Sequence, residues 1–521
     1  MNLTRHLLAL AALAACLMTG QPTAAAGMPS TQVGWRAAAT AADVDSAFAR
    51  ARAEGKPVLL YWGATWCPPC NQLKATLFNR QDFAALSRSF IPVHVDGDRP
   101  GAQKLGQQFK VTGYPTLVLL RPDGGEITRL PGEADAPQVM ELLQLGLAGG
   151  RPVKAVLADV RAGKVISPAE WRVLAFYSWD TDDEQLAARA DAAGVLADLA
   201  VASAPAGAET SARLWLKAVA ASDDGKGLKA DDSVRERVRQ VLADPAQVRV
   251  HADIVANEAA GMVRALADTP EGRQAQVALF DPALRRLQGD TSLSRADRLS
   301  ALASRVELAR IERPRKEVQP ALPDALRTEV REHAARADRE ISDPYERMAV
   351  IPSAAYALER AGLLAESEAM LRTNLDRSHS PYYLMSQLGG LMRRQGRSDE
   401  ALRWYAQSFD RSEGPATRLQ WGAGYLQAMV DLAPADASRI EATVLKLLDE
   451  AARDPGSFYK RSGTAMKRIG KALTTWNREG QHAASLKRLQ AKLPGLCARV
   501  PAAEDRQRHC LDLLKAPAAV G

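Results

Sequence analysis

Aromatic side chains are scarce in this sequence, at 5% of 521 residues, and no apolar run is long enough to cross a bilayer. The longest near the start, Leu7–Met18, would rise about 18 Å as a helix against a hydrocarbon core of roughly 30 Å. Charge of one sign is also lacking. The formal excess is +7 over the whole chain, and residues 27–150 hold 12 Lys+Arg against 11 Asp+Glu. With no basic stripe interleaved with aromatics, nucleic acid is excluded as an expected partner. The seven histidines are scattered without metal-ligand spacing, and there is no G-x-x-x-x-G-K-[ST] loop, no H-E-x-x-H and no G-x-S-x-G. No metal and no cofactor is expected.

Cysteine is rare too, with five residues, and their positions carry most of the information. Cys16 lies in a three-part opening: Arg5, the apolar run, then Gly20, Pro22 and the small residues Ala24–Ala26. That layout reads as a secretory signal over 1–26, cut near Ala26. Leu13-Ala14-Ala15-Cys16 also resembles the bacterial lipobox, so lipidation of Cys16 is the alternative, and a membrane is a partner only in that case. Both readings send the chain to the periplasm, free or as a lipoprotein. Loss of Cys16 leaves two local pairs, Cys67/Cys70 and Cys497/Cys510, and an even count suits an oxidising compartment. Cys497 and Cys510 flank Pro501 and are candidates for a stapling disulfide or, alternatively, a second redox pair.

From 27 to 150 the pattern alternates helix and strand. Thr40-Ala41-Ala42-Asp43 caps a helix, Pro57–Trp62 is an apolar strand, and a helix opens at Cys67. A helical stretch near Asp82–Ser89, the strand Ile91–Asp96, a helix over Ala102–Phe109 and the strand Thr116–Arg121 follow. Asp123-Gly124-Gly125 turns into a short strand, Glu126–Leu130, and Pro137–Leu147 closes the unit. Beyond Gly149-Gly150-Arg151-Pro152 strand signals stop. Ser167-Pro168-Ala169-Glu170, Asp343-Pro344-Tyr345-Glu346, Asp244-Pro245, Thr269-Pro270 and Asp281-Pro282 all read as helix starts. Features then recur 34 residues apart between 348 and 415: Gly362 with Gly396, Glu366 with Glu400, Leu371 with Tyr405, Pro381 with Pro415. Leu388-Gly389, Gly396, Ala401 and Tyr405 resemble the tetratricopeptide repeat, in which small residues let paired helices pack closely. Two repeats need cover from their neighbours, so helical regions are expected over 151–347 and 416–521.

The richest segment is Tyr61-Trp62-Gly63-Ala64-Thr65-Trp66-Cys67-Pro68-Pro69-Cys70. A cysteine where a strand ends and a helix begins faces backbone N–H groups and the positive end of the helix dipole, and both favour thiolate. Cys67 is the expected nucleophile. Cys70, one turn later, can reach its sulfur and resolve a mixed disulfide. Pro68 and Pro69 stiffen the loop and set how donors reach the sulfur. A structural zinc site would need two further ligands, and no second Cys-x-x-Cys exists. Trp62 and Trp66 read as packing or substrate-facing residues, and His94 as a strand residue. Gly113-Tyr114-Pro115-Thr116 supplies a proline just before an apolar strand.

With Lys56-Pro57-Val58-Leu59-Leu60, the Trp66–Cys70 motif, Leu77-Phe78 and Tyr114-Pro115-Thr116, residues 40–150 resemble the thioredoxin superfamily, especially the soluble C-terminal domain of the transmembrane thiol:disulfide interchange protein. The resemblance implies a cis Pro115 against the active cysteines, disulfide exchange with exported client proteins, a separate electron donor and no bound cofactor. One departure stands out: Tyr61 occupies the place of thioredoxin's buried aspartate, and the lysine opposite it is missing, so help in deprotonating Cys70 must come from water or substrate. The fold class expected is therefore an α/β thioredoxin-like domain followed by an all-α, tetratricopeptide-like array that can position a protein partner. The expected activity is thiol:disulfide oxidoreduction, in the reductase direction. The rival readings are a cell-envelope binding scaffold with minor redox activity and a lipoprotein delivering electrons within one assembly.

Overall fold

A computed structural model describes residues 32–514, apart from 131, 133, 134, 183, 189, 223–225 and 501–505, and apart from the side chains of 496, 506 and 509. The signal-like segment and Cys16 lie outside the described residues.

The front of the chain builds a five-stranded sheet from β1 (Arg36–Ala38), β2 (Val58–Gly63), β3 (Ile91–Asp96), β4 (Thr116–Leu120) and β5 (Glu126–Leu130), in the order β1-β3-β2-β4-β5. The first three are parallel, and β4 and β5 run antiparallel to their neighbours. Helices α1 (Ala41–Glu54), α2 (Pro68–Leu73), α3 (Gln81–Leu86), α4 (Ala102–Gln108) and α5 (Ala136–Leu147) flank it. Thr40 caps α1 with a reciprocal box to Asp43, as its spacing predicts. Every residue of β2 is buried, as expected of a central strand covered on both faces. Val58, Leu60 and Trp62 meet α1 and α4, while Leu59 and Tyr61 point to the opposite side. β1 escapes the sequence reading because three residues carry too little alternation to register.

Described residues beyond 150 form helices, from Val153–Arg161 to Arg506–Leu511. The sheet core does not stop at the change of class. Leu59, Tyr61, Leu117 and Leu119 share one buried cluster with Val153, Leu157, Trp171, Leu174, Leu199 and Leu214. Arg129 on β5 reinforces the seam: fully buried, it pairs with Glu126 and donates to the carbonyls of Phe109, Lys110 and Thr181.

Four of the five helix starts read from X-Pro pairs are N-caps, at Ser167, Asp343, Asp244 and Thr269. The fifth is corrected. Pro282 sits inside the helix Pro270–Gly289, whose stripe of Phe280, Ala283, Leu284 and Leu287 is buried without interruption, so packing carries the helix through the proline. Asp281 binds Arg285 and Arg305 instead of capping. The 34-residue spacing corresponds to two successive helix pairs, Pro344–Arg360 with Leu364–Thr373 and Pro381–Arg394 with Ser398–Arg411. Gly362 and Gly396 turn each pair at φ 76° and 74°. Gly389 is packed so closely that a Cβ would lie 2.9 Å from the ring of Tyr405.

Candidate active site

β2 ends at Gly63, and the chain turns through Ala64–Trp66 into α2, with Cys67 as its N-cap in an extended conformation. Of the first backbone groups of α2, Pro68 and Pro69 have no N–H to offer. The amide of Cys70 donates to Cys67 Sγ at 3.3 Å, and that of Asn71 donates to the Cys67 carbonyl at 3.1 Å. The two prolines thus leave one amide aimed at the sulfur. Cys67 and Cys70 are joined in a disulfide, with Cα atoms 5.2 Å apart, and are 3% and 0% exposed.

Asn71 locks the loop from below, its amide nitrogen donating to the carbonyls of Thr65 at 2.7 Å and Cys67 at 2.8 Å. No sequence signal singled it out, because asparagine early in a helix is unremarkable until the carbonyls it reaches are known. The peptide Tyr114–Pro115 is cis. The register sets Thr116 opposite Trp62, which brings Pro115 to the end of β2 from which the Cys67 loop departs, and Tyr114 packs on the cluster holding both cysteines. Gln103 donates to the Tyr114 hydroxyl at 2.6 Å. Burial pushes that hydroxyl up to about 12, so it remains a neutral phenol at physiological pH.

Tyr61 is buried and stacks on His94 with ring centroids 4.8 Å apart, beside Phe78 and Trp35. Burial lowers His94 to about 4, against the pull of Asp96, so the imidazole is neutral at physiological pH and serves the stack.

The unforeseen feature is the roof. Met348, Tyr382 and Trp421 from three array helices join Ala64, Trp66, Cys67 and Cys70 in one buried cluster. Trp66 is held on every side. Its Nε1 donates to Asp98 at 2.7 Å and to the Thr417 hydroxyl at 2.8 Å, and its ring stacks on Tyr383 at 5.9 Å and meets Trp421 edge-on at 5.0 Å. The Arg461 guanidinium lies 4.6 Å from the Trp66 ring centre and 4.5 Å from that of Tyr114. Asp98 is nearly buried, and desolvation raises its carboxyl to about 6 despite bonds from Thr417 and Trp66 and the charge of Arg461. Gly414 makes the approach possible: its φ is 79°, and a Cβ there would come within 2.6 Å of Asp98 Cβ. Apart from Asp98 and Tyr114, these partners lie 250 or more residues from the motif, beyond the reach of local pattern.

Beside the roof a cavity of about 510 Å³ opens between Pro68, Pro69 and Gln72 on one side and Lys217, Asn257 and Asp297 on the other. Gln72 reaches across its edge to Asp297 at 2.7 Å. Far away, Cys497 and Cys510 are also disulfide-bonded, with Cα atoms 5.7 Å apart. Among the described residues, no group of three or more His, Cys, Asp or Glu gathers as a metal site.

Comparison with known proteins agrees with this geometry. The thioredoxin-like domain family matches residues 44–146. The thiol:disulfide interchange protein DsbD 1 of Pseudomonas aeruginosa is 32% identical over 127 residues, 24% of this chain and 22% of that protein. The chain thus spans about a fifth of the length of this relative. A solution structure of a thioredoxin from Thermus thermophilus matches at 27% identity over 21% of this chain and 83% of its own, with a TM-score of 0.19. A thioredoxin-like protein of Synechocystis sp. is 33% identical over 90 residues, 17% of this chain and 81% of its own length. With a strand-to-helix Cys-x-x-Cys pair, a cis-proline loop at its side and a relative matched over most of its length, the chain belongs to the thioredoxin-like family.

Proposed function

We propose that the chain is an exported thiol:disulfide oxidoreductase that reduces disulfides in client proteins. The observation that carries this reading is the Cys67–Cys70 disulfide formed at a helix start inside a thioredoxin-like domain. Once the pair is reduced, the Cys67 thiolate attacks one sulfur of a client disulfide, joins it in a mixed disulfide and expels the other sulfur as a thiolate. Cys70 then attacks Cys67, re-forms the internal disulfide and releases the second client thiolate. Two electrons pass to the client, and a separate dithiol donor must return them. No cofactor is required. Trp66, Pro68, Pro69 and Tyr114 shape the loop, and Pro115 borders the reacting sulfurs.

Export is supported by the signal-like residues 1–26, with lipidation at Cys16 as the variant form, and the bonded Cys497/Cys510 pair suits a periplasmic destination in a stapling role. Residues 27–150 are the proposed catalytic unit, and 151–347, the repeats at 348–415 and 416–521 the array. Insulin reduction by the mature chain, with dithiothreitol as donor, tests the reading; it should vanish in Cys67→Ser. A second reading, a binding scaffold with minor redox activity, draws on the burial of the pair beneath the array. It predicts that the double Cys67→Ser, Cys70→Ser variant still rescues a deletion strain, whereas the oxidoreductase reading predicts no rescue.

A further inference from the structure

We infer that the helical array is a built-in lid on the redox pair, and that the rate at which this lid lifts limits exchange with protein disulfides. The inference rests on the oxidoreductase reading and adds its regulation.

Thiol–disulfide exchange requires the incoming sulfur to touch the attacked one. Here the two sulfur-bearing residues are 3% and 0% exposed, and Met348, Tyr382 and Trp421 of the array complete a cover to which the domain's own loops add Ala64, Trp66 and Tyr114. The helix Pro344–Arg360, which carries Met348, packs along α2. A folded client cannot reach either sulfur while these helices stay in place. The cavity at Pro68 and Pro69 comes no closer than the residues between the cysteines.

The two contacts between domain and array differ in kind. The first array helices share a continuous apolar core with the sheet, and Arg129 binds them from within, so that junction is permanent. The cover is different: one small cluster, ringed by single polar tethers. These include Trp66 to Thr417, the Gly101 amide to Asp454 and the Arg461 amide to Gln103, with the Lys74 ammonium over the Tyr345 ring. An interface of few apolar groups and isolated hydrogen bonds is the place where a structure opens first. The geometry makes the early helices the anchor, the stretch from 344 to 476 the moving part and Trp66 the latch, clasped by Tyr383, Trp421 and Arg461.

The full mature chain, reduced beforehand with dithiothreitol, gives the test. In the wild type the observed rate of insulin reduction should level off as insulin is raised, at a value set by opening. Trp421→Ala, which takes away the edge-on contact without touching either cysteine, should raise that plateau about tenfold or more. A measurement on the wild type alone guards against a variant that fails to fold. Iodoacetamide should label the reduced pair far more slowly in the native chain than in urea, and a bulky polyethylene-glycol maleimide more slowly still. An insulin rate that rises linearly without a plateau, equal in wild type and variant, together with native labelling as fast as in urea, would overturn the lid. If instead the opened variant equilibrates with dithiothreitol yet never reduces insulin, the oxidoreductase reading fails, and the lid as a control on client exchange falls with it.

Discussion

Cys67 and Cys70 have different neighbours, and the proposed function gives them different work. Cys67 caps α2 and accepts an amide hydrogen bond, while Cys70 is fully buried one turn along. Replacing Cys70 with alanine should let mixed disulfides with clients accumulate, and replacing Cys67 should leave none, as read by non-reducing gels after acid quenching. Equal adducts from both variants would reverse or erase the assignment. Asp98 makes a prediction of another sort. Its carboxyl titrates near 6 because burial disfavours the charged form, so the folded chain holds a proton that the unfolded chain gives up between about pH 4 and 6. This group's contribution therefore favours folding at pH 4 and is lost as pH rises through 6, by an amount on the order of 2–3 kcal/mol. Asp98→Asn stays uncharged and keeps an acceptor for Trp66. In urea titrations, wild type should gain stability relative to Asp98→Asn as pH falls from 7 to 5, and a constant difference would refute the burial argument.

At the scale of elements, small residues and covalent ties decide how closely helices meet. Gly389→Ala would push a methyl group against the Tyr405 ring, and overpacking of this kind costs about 1–3 kcal/mol, seen as a lower urea midpoint at unchanged slope. The Cys497–Cys510 disulfide joins the end of Ala483–Cys497 to Arg506–Leu511 across a sequence separation of 13. Removing it with a double serine variant should cost up to about 3 kcal/mol by chain entropy, with faster amide exchange confined to the last helices and insulin reduction intact. Much at this scale was legible in the sequence. The other four strands, the capped helix starts and the turn glycines followed from apolar runs, hydroxyl or carboxylate caps and fixed spacing, since those signals are local. Asp281-Pro282 misled because a continuous apolar stripe outweighed a proline. β1 was too short to announce itself.

Over the whole molecule, legibility ends where contacts become distant. Cys67, Cys70 and Pro115 stood out because their chemistry is written in neighbouring residues. Asp98, Tyr383, Trp421 and Arg461 did not, because each is ordinary until the fold sets it beside Trp66. The same distance explains why a region with no catalytic motif of its own bears directly on the chemistry. In a chain whose sheet core runs into its first array helices, and whose later helices return to cover the sulfurs, a thioredoxin-like domain is enclosed by its own helical array. On the proposed function, this enclosed pair is a working two-electron couple. The most direct test equilibrates the full mature chain with graded mixtures of reduced and oxidised glutathione and counts alkylated Cys67 and Cys70 by mass. One concerted transition is expected, in which both cysteines change together with a midpoint within about −270 to −120 mV. A pair that stays fully bonded or fully reduced across the whole series, or that alkylates one cysteine at a time, would contradict it.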